Sequence, residues 1–80
     1  MIRAYDNYEE AKMIAKLLTM QGFPSEAKQI LAAIRDGKSG TEIFMILRFR
    51  LASMLNTQGV SDDTKERMGI LHKKLDEALQ

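Results

Sequence analysis

Glycine falls at positions 22, 37, 40, 59 and 69, and four of these five sit between stretches whose apolar residues recur every three or four positions. That punctuation constrains the fold more than any other feature. Each stretch repeats with a helical period, and each break carries helix-stopping or helix-starting residues.

From Asn7 to Gln21 the apolar positions Tyr8, Ala11, Ile14, Ala15 and Leu18 lie on one helix face. Asp6 or Asn7 can cap the start, Glu9 and Glu10 suit the positive end of the dipole, and Gly22 can stop the helix. Pro24 fits the first turn of a second helix, with Ala27, Ile30, Leu31 and Ile34 as its face and Gly37 as its end. The loop to the third helix is about three residues, which predicts antiparallel packing of these neighbours. Ser39-x-x-Glu42 has the form of a capping box, in which the serine oxygen takes the N–H of residue 42 and the glutamate returns to Ser39. This helix is expected to run to about Gln58. Ser61 then caps a fourth, with Asp62 and Asp63 in its first turn. Met68, Leu71, Leu75, Ala78 and Leu79 line that helix, and its interior Gly69 either permits a close crossing or is simply tolerated. The expectation is an all-α, single-domain, compact bundle of four helices at about 7–21, 24–36, 40–58 and 62–79.

Composition sets what can hold such a bundle together. With 80 residues and no Cys, disulfides and thiolate metal sites are excluded, so burial of the 45% hydrophobic residues must suffice. Twelve basic and eleven acidic side chains leave a charge of +1, which offers no basic excess for nucleic acid. No apolar run reaches the roughly 18 residues that cross a bilayer. Met1 to Tyr8 is polar after Ile2 and lacks the basic and apolar regions of a secretory signal. The expected location is cytoplasmic, without membrane or nucleic-acid partners.

The run Gly37-Lys38-Ser39 ahead of a helix invites a phosphate-loop reading, but the glycine that loop needs four residues earlier is Ala32, inside a helical pattern. His72 is the sole histidine and has neither Cys nor a second His to share a metal. The carboxylate pairs Glu9/Glu10, Asp62/Asp63 and Asp76/Glu77 are adjacent, so on a helix they diverge by about 100° and do not converge on one atom. No catalytic, cofactor-binding or metal-binding residues are expected, and the protein is expected not to be an enzyme.

The third helix carries more apolar surface than one core face requires. Ile43, Phe44, Leu47, Leu51, Met54 and Leu55 share one side, with Arg48 at its edge as an ion-pair or carbonyl anchor. A second arc holds Glu42, Met45, Phe49, Ser53 and Asn56, with Ile46 beside it, while Arg50 and Thr57 lie opposite the core face. Either the helix is central and Met45 and Phe49 are core, or they are exposed within a polar rim and form a protein-binding patch, self-association included.

The segment from Gly37 to Arg48, GKSGTEIFMILR, follows a helix ending Ile34-Arg35-Asp36-Gly37. It resembles a "G-S-T/S-G-T-E-I-x-M-x-L-R" run in small all-helical immunity proteins of bacterial contact-dependent growth inhibition systems. The likeness covers roughly residues 8–55. It implies an inhibitor without catalysis, whose partner is a toxin C-terminal domain, with a nuclease as one expectation. The matching positions are Gly40, Thr41, Glu42, Ile43, Met45, Leu47 and Arg48, and they read as defining the fold more than contacting a partner. Immunity proteins against basic nucleases are frequently acidic, and this chain departs from that. Local acidity at Asp36, Glu42, Asp62, Asp63 and Glu66 could still serve association. The partner-binding candidates are therefore Asp36, Glu42, Met45, Phe49, Arg50, Asp62, Asp63 and Glu66. The competing expectation is a helical adaptor that works as a homodimer through Met45 and Phe49.

Overall fold

A computed structural model describes residues 4–80; the beginning of the N-terminal stretch, including Ile2, lies outside the described residues. Helix α1 spans Asn7–Met20, α2 Pro24–Asp36, α3 Gly40–Met54 and α4 Asp62–Ala78. Each starts where its sequence provides a partner for free backbone N–H groups or removes one. Asp6 accepts from the N–H of Tyr8 and Glu9, Ser39 from that of Glu42, and Ser61 from that of Thr64, while Pro24 needs no partner at the first position of α2. The capping box at α3 is modified. The Glu42 carboxylate accepts from the N–H of Lys38 at 3.4 Å, one residue before the expected Ser39.

α1 stops at a left-handed glycine. Gly22 has φ of 91°, its N–H donates to the Thr19 carbonyl, and the N–H of Phe23 donates to that of Leu18 at 2.8 Å. These paired bonds satisfy the last carbonyls of the helix and turn the chain so that Phe23 packs back on the core. Gly37 ends α2 differently. Its φ of −66° suits any residue, but a Cβ there would collide with Cγ1 of Ile43, so the short turn needs glycine for space.

Each helix packs against its sequence neighbours, and α1 against α4, closing a ring of four. Contacts between α1 and α4 run in opposite order, Gln21 meeting Ser61 and Thr64 while Glu10 meets Arg67, so the two helices are antiparallel. One hydrophobic cluster fills the centre: Ala11, Ile14, Ala15 and Leu18 from α1; Ala27, Ile30 and Ala33 from α2; Leu47, Leu51 and Met54 from α3; and Met68, Leu71 and Leu75 from α4. Fully burying one such Leu or Ile contributes roughly 1.5–3 kcal/mol, and the close fit adds to it. The architecture is an all-α four-helix bundle, and no helix among the described residues is long and apolar enough to cross a membrane.

Three details of the sequence reading need correction, and the alternatives left open for Gly69 are resolved. α3 ends at Met54, not near Gln58, because Asn56 and Thr57 are poor helix formers and the linker must bring Val60 into the core. Leu31 is exposed and Ala33 takes the buried place, since Leu31 lies about 100° around the helix from Ile30. Ala78 is exposed as well, leaving Leu71 and Leu75 to anchor the end of α4. Gly69 makes no close crossing, for a Cβ there would meet nothing within 4 Å.

Candidate functional site

Apolar residues surround α3 instead of keeping to one side, and the bundle covers only part of them. Leu47, Leu51 and Met54 are buried, while Ile43, Phe44, Ile46 and Leu55 pack partly on the same core. Met45 and Phe49 point away from it and remain 52% and 65% exposed. The alternative that placed them in the core is therefore ruled out by geometry. They stand one turn apart, so their side chains adjoin.

With Ala52 they form the α3 lip of an open groove of about 440 Å³ between α3 and α4. The remaining lining is Arg48 from α3, and His72 and Asp76 from α4. His72 and Asp76 are four residues apart and thus share a helix face. Arg48 donates to the Asp76 carboxylate at 2.7 Å, tying the two helices together beneath the groove. This is the ion-pair role expected of Arg48, and the partner is supplied by the opposite helix. Ala52, His72 and Asp76 were not among the candidates; only the antiparallel pairing of α3 and α4 brings them to Met45 and Phe49.

Arg50, on the side of α3 expected to be exposed, is half-buried, and its guanidinium lies 5.8 Å from the centroid of the Phe49 ring. Among the described residues it makes no ion pair. The acidic candidates do not gather around this groove. Asp36 pairs with its neighbour Arg35 at 2.9 Å, both largely exposed, and the hydrogen bond from Arg35 holds the Asp36 carboxyl below its ordinary value. Asp62, Asp63 and Glu66 are exposed near the start of α4, at least ten residues before Asp76. That separation is about 15–21 Å along the axis. Glu42 lies on the Met45–Phe49 side of α3, in its first turn.

A larger concavity, about 690 Å³, opens beside the start of α1 and is lined by Ala4, Tyr5, Asp6, Glu9, Glu10, Met13 and Arg67. Its charged groups already have partners. Asp6 caps α1, and Arg67 makes two bonds to the Glu10 carboxylate at 2.8 and 3.0 Å. Burial pushes the Tyr5 phenol above its ordinary value, Glu10 adds to that shift, and Arg67 opposes it. Tyr5 and Met13 are 42% and 40% exposed there, against 52% and 65% for Met45 and Phe49, so the smaller groove carries the more exposed apolar pair and is the better candidate.

The α3/α4 lining contains no hydroxyl, thiol or amine to act as a nucleophile, and among the described residues no three His, Cys, Asp or Glu side chains gather to hold a metal. The glycine–lysine–serine turn is entered from α2, so the strand that precedes a phosphate loop is replaced by a helix. No protein family matches this sequence, and comparison with curated proteins and with solved structures finds no match.

Proposed function

We propose that this chain is a non-catalytic immunity protein, which binds a cognate toxin domain through the α3/α4 groove and neutralises it by covering its active site. The observation that carries the reading is the adjacent pair Met45 and Phe49, both more than half exposed, on the lip of a groove floored by an ion pair. An aromatic side chain and a flexible Met inside a polar rim have the composition of a protein-binding surface. The resemblance of residues 37–48 to bacterial immunity proteins supplies the kind of partner. Its matching positions divide sensibly: Leu47 and Ile43 belong to the core, Glu42 to the cap, and Met45 to the exposed lip.

The test is co-expression with the product of the reading frame immediately upstream. Retention of that product by the wild-type chain, its loss with Phe49→Asp, and relief of its toxicity in cells are the expected results. An upstream product that is harmless and is not retained overturns the reading.

The second reading, a helical adaptor that dimerises through the same lip, is favoured by Ser53 and Ala52, small exposed residues one turn beyond Phe49. In an antiparallel pairing of two α3 helices they would receive Met45 of the other copy. Sedimentation at several concentrations separates the readings, since a dimer abolished by Phe49→Asp supports the adaptor.

A further inference from the structure

The groove is amphipathic, and a cation stands beside its lip. Within the lining Arg48 and Asp76 balance each other, while Arg50, outside that lining, adjoins the exposed Phe49 ring. Arg48 is the one engaged; Arg50 lies over the Phe49 ring with no ion pair among the described residues. Glu42 does not offset it. It precedes Phe49 by two helical turns, about 10 Å along the axis, and its carboxylate is turned to the N–H of Lys38. The uncovered aromatic ring and a guanidinium without an ion pair among the described residues are therefore neighbours.

We infer that the occupant of this groove is an acidic amphipathic segment of the partner protein, with apolar side chains on Met45, Phe49 and Ala52 and a carboxylate on Arg50. The inference rests on the docking role proposed above and adds the chemistry of what docks. A helix with apolar residues three and four positions apart and an acid beside them satisfies both features. A second copy of this chain fits less well, because a two-fold axis through Phe49 brings the two Arg50 side chains together with no free carboxylate between them. A nucleic acid would meet one surplus positive charge where affinity draws on several phosphate contacts. Should the toxin be a nuclease, the groove would hold an acidic segment at the edge of its phosphate-binding cleft, and the body of the bundle would cover the cleft itself.

Two synthetic helical peptides of identical apolar spacing test this, one with Glu and one with Lys at every charged position, titrated into the full 80-residue chain. The Glu peptide is expected to bind at least tenfold tighter, and to shift amide resonances at 45–52 and 72–76. Arg50→Glu is expected to reverse the preference, and Phe49→Asp to remove binding while the thermal transition stays in place. Equal or tighter binding of the Lys peptide overturns the inference. So do shifts confined to other helices, binding of neither peptide, or a concentration-dependent dimer that Phe49→Asp dissolves. The toxin reading fails separately: the Glu preference can hold while the upstream product is harmless, in which case only the identity of the partner falls.

Discussion

Gln21 bonds the end of α1 to the start of α4 at two points. Its side-chain nitrogen donates to Thr64 Oγ1 at 2.7 Å, and its oxygen accepts from the N–H of Ser61 at 2.9 Å. Thr64 is 1% exposed, and Ser61 Oγ also donates to it, at 2.9 Å. One side chain thus supports the cap of another helix. Gln21→Ala removes both bonds and is expected to cost about 1–2 kcal/mol. For a domain of this size that lowers Tm by roughly 4–16 °C, readable by circular dichroism. A Tm unchanged within a degree would show that water replaces the glutamine.

The two interior glycine contexts predict opposite signs. Gly69→Ala adds a methyl group in open space within a helix, so it is expected to stabilise by up to about 1 kcal/mol. Gly37→Ala drives a Cβ into Ile43 and is expected to destabilise by about 1–3 kcal/mol. Urea titrations of both variants check this. In an Ile43→Ala background the Gly37→Ala penalty should shrink, because the obstructing atom is gone.

Exposed and buried apolar residues of α3 should separate stability from binding. Leu47→Ala is expected to cost about 2–5 kcal/mol through lost burial and a cavity. Phe49→Asp, at an exposed site, should change stability by no more than about 0.5 kcal/mol. Denaturant midpoints of the two variants, measured side by side, decide the matter.

Tyr5 offers a pH test. Its phenol titrates above its ordinary value of 10.0, chiefly because burial disfavours the tyrosinate. The neutral form is preferred in the folded state, so the associated stability is complete below that ordinary value and is lost as pH rises through the folded one. Tyrosinate absorbance in a Tyr8→Phe background isolates the group. Glu10→Gln should bring its midpoint down, since Glu10 contributes to the elevation.

Much of this molecule was legible from spacing and caps. The face Ala11, Ile14, Ala15 and Leu18 is buried as the period demands, and Ser39 and Ser61 cap the helices they precede. Local signals of this kind act within one turn, where sequence distance and spatial distance agree. The early end of α3 was less legible, because burial of Val60 is a tertiary demand that overrides a continuing helical pattern. The candidate site divides in the same way. Met45 and Phe49 stand out by position, but only packing reveals that they are uncovered, and Asp76 reaches Arg48 from 28 residues away. The acidic cluster at 62, 63 and 66 could not be placed relative to them without knowing how α4 runs.

Closure of the ring between α1 and α4 has a kinetic consequence. Helices joined by short loops meet early, whereas Gln21 and Thr64 are 43 positions apart and Glu10 and Arg67 are 57. Bringing such distant segments together costs more chain entropy, so this seam is expected to form after the rate-limiting barrier. Weakening it with Arg67→Ala should then leave the refolding limb of a chevron almost unmoved and speed the escape from the native state. The first and last helices would act as a clasp that governs how long the folded protein survives, and hardly at all how fast it is born.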